Sequence, residues 1–223
     1  MAFEFDHLFI CTDVGAGEAD RLVALGLVEG TANTHPGQGT ANRRFFFQNA
    51  MLELLWVHDP LEAQSEPIRR TRLWERWQNR QAGACPFGIC LRPASGEGSA
   101  MAFSSWAYQP PYLPETMSFA VGTNSERLTE PMLIQTPLGQ RPDRLPPERA
   151  QPLDHLVGWR EVTRVAVISP EAGQPSPEWQ AVIDIIQIEL RPGTDYCVEI
   201  GFDGEGQGQQ VDFRPSLPLI LSW

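Results

Sequence analysis

Apolar residues run or alternate from Phe3 to Cys11, a pattern that predicts a strand. Asp13 to Gly17 then reads as a turn. Ala19, Leu22, Val23 and Leu25 recur at helical spacing, so Glu18 to Leu25 is expected as a short amphipathic helix stopped by Gly26. Leu27 to Thr31 reads as a second strand. Thr34 to Asn42 is rich in turn formers and reads as an ordered loop. Arg43 to Gln48, with three phenylalanines in a row, and Met51 to Val57 complete the run as third and fourth strands. The first sixty residues are therefore expected to fold as βαβββ.

A helix is expected over Glu62 to Arg80, with Ile68, Leu73, Trp74 and Trp77 inward and Arg69, Arg70, Arg72, Arg76 and Arg80 on a solvated face. Phe87 to Leu91 reads as a strand and Ser99 to Trp106 as a short helix. Tyr108 to Leu113 is at best an irregular edge strand, and Met117 to Val121 and Met132 to Thr136 are further strands. This order is a second, weaker βαβββ. Leu138 to Pro152 is a long Pro-rich connection. Val162 to Ile168 then predicts a strand, Pro177 to Leu190 a helix, and Tyr196 to Phe202 with Gln209 to Phe213 a hairpin. The expected organisation is a first module over 1–60, a linker helix over 61–84, a degenerate second module over 85–137 and a βαββ extension over 138–223.

Composition narrows the chemistry. The 223 residues carry a formal net charge of −11, which argues against nucleic-acid binding and against an anionic membrane surface. All 17 basic residues are arginine, so a Schiff-base lysine and a P-loop are both excluded. Of the four cysteines only Cys85 and Cys90 are close in sequence, and no second Cys or His pair stands at structural-zinc spacing. Cys11 and Cys90 read as small core residues. The N-terminus has no signal-peptide pattern and no apolar run could span a bilayer, so the expected location is the cytoplasm.

Two polar residues stand out against the apolar pattern. His7 lies in Asp6-His7-Leu8, and Glu53 lies in Leu52-Glu53-Leu54-Leu55. An ionised Glu in an apolar strand needs a partner or a metal. The structural alternatives are a core histidine bonded by Asp6 or the backbone, and a Glu53 ion pair with Arg44 or Arg92. These two pieces, with His35-Pro36-Gly37-Gln38-Gly39-Thr40-Ala41-Asn42-Arg43 between them, make residues 3–60 resemble a glyoxalase-like domain of the vicinal oxygen chelate superfamily. Over 85–137 the resemblance is one of topology.

The resemblance implies an α+β fold in which paired βαβββ modules form a curved mixed sheet around a cavity. It implies His7 and Glu53 as metal ligands, Glu53 with a catalytic role, and an activity of the lyase, isomerase or dioxygenase type. The expected cofactor is one divalent ion (Mn, Fe, Ni, Mg or Zn), with octahedral-type ions more natural than structural zinc for such ligands, and His35 is the nearest candidate for the second histidine of a two-His-one-carboxylate site. The second module's ligands should fall near Gly88 and near Ile134 or Gln135, where glycine cannot ligate and a carboxamide is a weak donor. The competing expectation is therefore a small-molecule binding protein of the same fold without the metal. His35, Arg44, Arg92 and Tyr112 are the expected substrate contacts; an inward Arg would hold a carboxylate or phosphate. Trp106 and Tyr108 could also line an apolar pocket, Asn42 reads as a turn-stabilising residue, and His58 and His155 as surface residues. A homodimer that pairs modules between chains is an alternative way to close the sheet.

Overall fold

The computed structural model describes residues 2–94 and 100–223. It is an α+β fold of two mixed sheets. The elements of the first module are β1 (Phe3–Cys11), α1 (Ala19–Leu25), β2 (Asn33–His35), β3 (Thr40–Phe46) and β4 (Met51–Val57). A covering segment follows, with α2 (Pro60–Ala63), α3 (Glu66–Arg69) and α4 (Leu73–Gln78). The second module supplies β5 (Phe87–Pro93), β6 (Ser105–Tyr108), β7 (Phe119–Gly122) and β8 (Met132–Gln135). The C-terminal part holds β9 (Val162–Ser169), α5 (Pro177–Ile186), β10 (Glu189–Pro192), β11 (Cys197–Phe202), β12 (Gln210–Asp212) and β13 (Leu219–Ser222).

The first sheet has eight strands in the order β2-β3-β4-β1-β5-β8-β7-β6. Each module contributes four, and they join where β1 pairs antiparallel with β5. Within each module the first and last strands are parallel, β1 with β4 and β5 with β8. Alternation splits the residues between two faces. Leu8, Ile10, Phe45, Leu52, Leu54, Ile89, Leu91 and Leu133 point to one face and form the main core. The five-stranded C-terminal sheet, in the order β10-β9-β11-β13-β12, covers that face through Val165, Val167, Val198, Ile200 and Leu219, with α1 and α5 packed alongside. Phe47, Phe202 and Trp159 stack across this layer with centroids 4.6 and 4.7 Å apart. The opposite face of the eight-stranded sheet is concave and carries the polar residues.

Several expectations are corrected. The second strand is Asn33–His35, not 27–31, and makes a hairpin with Thr40 to Asn42 across the stretch expected as a loop. The helix expected over 62–80 is three short pieces. Pro67 lies in the first turn of the second, and Arg72 in the left-handed region (φ 57°) separates the second from the third. Arg76 is fully buried and donates to the carbonyls of Cys85 and Glu130 instead of facing solvent. In the second module Ser105 and Trp106 belong to a strand and Ala100 to Ser104 is irregular, whereas Ser99, the expected helix start, lies outside the described residues. The helix that begins at Pro177 ends at Ile186, because Gln187 turns left-handed (φ 56°) and releases the chain into β10. The expected hairpin of β11 with β12 is interrupted: β13 lies between them, parallel to β11. His155 is buried rather than exposed. Its Nδ1 accepts from the Val28 N–H at 2.9 Å and its Nε2 donates to the Phe46 carbonyl at 2.9 Å.

Candidate functional site

The concave face encloses a cavity of about 240 Å³. Its lining comes from both modules and the covering segment. Phe9, Leu55, Leu73, Phe119, Met132 and Ile134 make the apolar wall. His7, His35, Asn42, Arg44 and Glu53 make the polar side, and Tyr108 and Tyr112 close over it. Trp106 is not part of the lining; it packs on Tyr108 and under the Arg70 guanidinium.

Glu53 is held on the floor. It sits in the middle of β4 and its side chain is 7% exposed. Asn42, on the adjacent β3, donates from Nδ2 to Glu53 Oε1 at 2.6 Å, and Asn42 Oδ1 accepts from the Asn33 N–H at 2.8 Å. The amide is thus clamped between two strands and cannot turn its acceptor toward the carboxylate. Glu53 Oε2 faces His7 Nε2 at 3.5 Å. His7 Nδ1 in turn bonds Asp6 Oδ2 at 2.8 Å. Adjacent strand residues ordinarily point to opposite faces. Here a register shift between Phe5 and His7 bends β1, so that Asp6 can reach the ring of its neighbour.

Burial is the largest influence on His7 and disfavours its positive form. Cys90, its cross-strand partner, and Asp6 outweigh it, so the ring holds its proton well above the usual imidazole range. Burial pushes the Cys90 thiol up, and His7 opposes the shift. Burial lowers His35, so that ring is neutral at pH 7. It also raises the hydroxyls of Tyr108 and Tyr112, which stay protonated. Both donate to Gln38 Oε1, at 2.8 and 3.3 Å, and Gln38 Nε2 donates to Thr40 Oγ1 at 2.8 Å. Gln38 therefore ties the turn between β2 and β3 to the second module. Gly39 in that turn has φ 75°, and a Cβ there would stand 2.3 Å from the Asp59 carbonyl oxygen.

The expected site residues divide as follows. The cavity brings together His7, Glu53, His35, Arg44 and Tyr112. Arg92 lies elsewhere: its guanidinium is 3% exposed and bonds Glu4 Oε2 and the Asn49 carbonyl, both at 2.9 Å, so it does not reach a ligand in this cavity. Glu53 pairs with neither arginine expected as its structural partner. Asn42, Gln38 and Cys90 belong to the site although their sequence reading was structural or absent. For Asn42 the signal lay in Thr40-x-Asn42-x-Arg44, an alternation visible only once the strand is begun at Thr40.

The positions expected to complete a metal site do not do so. Gly88 has no side chain, and the ring of Phe9 lies where its Cβ would be, 1.9 Å away. Ile134 points into the cavity as a hydrocarbon. Gln135 faces the other way, where its carboxamide accepts from the Ala102 N–H and donates to the Ala100 carbonyl. Among the described residues no three His, Cys, Asp or Glu side chains gather as a metal would require. Catalytic zinc sites ordinarily use three protein ligands. His7 and Glu53, with two apolar positions opposite and His35 bonded to Thr40 rather than gathered with them, do not fit such a site.

Two modules with a mixed eight-stranded sheet around a polar-floored cavity define the architecture. The chain belongs to the glyoxalase-like domain family, whose profile matches residues 5–183. The match continues past residue 137, where the sequence resemblance ends, into α5. No curated protein matches the chain in sequence. Among solved structures, a hypothetical protein from Staphylococcus aureus shares the fold at 13% identity, with a TM-score of 0.58 over 100% of this chain and 99% of that one. Among the described residues no helix is long and apolar enough to cross a membrane.

Proposed function

We propose that the protein binds a small organic molecule in the concave cavity without a metal ion, and that Glu53, assisted by His7, exchanges a proton with it. The observation that carries this reading is the orientation of Glu53. Asn42 and His7 aim a nearly buried carboxylate at an apolar space, with Asp6 holding the far side of His7. A general base needs this combination of fixed geometry and desolvation. Abstraction of a proton next to a carbonyl is the simplest reaction it fits: the C–H proton moves to Glu53, and the carbonyl oxygen takes the developing negative charge. His7, 3.5 Å from Glu53 and held by Asp6, is the proton carrier beside it.

The second reading is binding without catalysis. It is favoured by Ile134 and Met132, which put hydrocarbon on the second module's side of the cavity where a reacting group would gain from polar contacts. One experiment separates the two. Chelator-treated protein is mixed in D₂O with phenylacetone or phenylpyruvate, and deuterium entry beside the carbonyl is followed by NMR. Proton exchange predicts entry above the buffer rate that is lost in Glu53→Gln, while binding persists. Binding without exchange in both proteins leaves the second reading. If neither compound shifts resonances of cavity residues, both readings are wrong.

A further inference from the structure

We infer that the ligand of this cavity carries a carboxylate, received by Arg44. The inference rests on the cavity being a binding site, as proposed above, and names the chemical class it takes. Arg44 lies on β3 opposite Glu53 on β4, so the two side chains share the cavity face. Their geometry invites an ion pair, yet Glu53 turns its oxygens to Asn42 and His7. Arg44 spends only Nε on protein, donating to the Thr31 carbonyl at 2.7 Å, with its guanidinium carbon 5.1 Å from the centre of the Phe46 ring. Those two contacts fix the plane of the guanidinium, and its two terminal nitrogens make no hydrogen bond among the described residues. Arg43, the next residue on the opposite face, shows the contrast: its Nε and Nη2 grip both oxygens of Glu29 at 2.8 and 2.7 Å.

Several of the other polar groups of the lining are engaged within the protein. Thr40 occupies His35 Nδ1, Gln38 occupies both tyrosine hydroxyls, and Glu53 with Asn33 occupies Asn42. A half-buried guanidinium with two parallel donors free is the strongest unmatched group facing the space. Its fork fits a planar carboxylate with two bonds. A phosphate is disfavoured, because its second charge would meet Glu53 across the same cavity. The apolar wall of Phe9, Leu55, Phe119, Met132 and Ile134 then takes the rest of the ligand.

Calorimetric titration of the chelator-treated protein with phenylacetate, phenylacetamide and phenyl phosphate tests this. Phenylacetate should bind at least tenfold more tightly than phenylacetamide and more tightly than phenyl phosphate. In Arg44→Gln that preference should vanish, and in Arg44→Lys it should shrink but survive, with thermal unfolding reporting that each variant is folded. The wild-type comparison of acid with amide needs no variant. Equal binding of acid and amide, or tighter binding of phenyl phosphate, would overturn the assignment while leaving the cavity a binding site. If none of the three binds, the binding reading fails with it.

Discussion

Glu53 remains in a nearly closed space because one oxygen is bonded by Asn42 and the other faces His7. Removing Asn42 should therefore cost more than an ordinary side-chain hydrogen bond. Asn42→Ala is expected to lower stability by about 1.5–3 kcal/mol, the range for bonds to charged groups, measured by urea unfolding. Glu53→Gln keeps the shape but breaks the buried contact with His7, so it should be destabilising as well. In the double variant most of the Asn42→Ala loss should disappear, whereas additive losses would mean that the amide serves only the backbone of Asn33. His155 gives a test in pH. Burial lowers its pKa below that of the unfolded chain, and its neutral ring accepts from Val28. Below the unfolded value of about 6.5 the unfolded state takes up the proton first, so the contribution is complete above that pH and falls away beneath it. The stability difference between the wild type and His155→Gln should thus shrink as pH drops from 7 to 5; a constant difference would contradict the buried neutral ring. Glu53 was legible in the sequence because its leucine neighbours made an exposed position untenable. Arg92 lies outside the cavity; strand position alone does not say whether Glu4 is near enough to claim it.

At the scale of elements, β1 and β4 follow their apolar runs closely, and both were readable. The register shift in β1 was not, since nothing local distinguishes Phe5-Asp6-His7 from a regular strand; the irregularity comes from pairing with β5. The broken helix over 60–78 has the same kind of cause. Its apolar spacing is helical, but Pro67 and the left-handed Arg72 let the chain bend so that Thr71 and Leu73 reach the cavity. The turn between β2 and β3 is the element that joins the modules, through Gln38 and the two tyrosines. Gly39→Ala places a left-handed Cβ against a carbonyl oxygen and should destabilise by about 1–3 kcal/mol or more. Melting temperature checks the loss, and Tyr108 and Tyr112 should become more accessible to quenchers. An unchanged melting temperature would mean that the turn rearranges freely.

At the scale of the whole molecule, the modules share one sheet and the C-terminal strands cover its outer face. The paired-module architecture was readable from the repeated strand order. The partnership of the two sheets was not, because β10 and β13 are short and β13 pairs in parallel with a strand some twenty residues earlier. The covered face holds Leu8, Ile10, Phe45, Leu52 and Leu54, all buried. A fragment of residues 1–158 should therefore fail to fold as a monomer and should bind hydrophobic dyes strongly; a fragment with a cooperative melt of its own would show that the second sheet is dispensable. The central claim is that this cavity works on an organic ligand without a metal. Its most direct test is calorimetric titration of phenylacetate into protein stripped by a chelator, repeated after addition of Mn²⁺, Ni²⁺ or Zn²⁺. Binding of the same affinity throughout is the result predicted here. Binding that appears only with the metal, and disappears in both His7→Ala and Glu53→Gln, would contradict it.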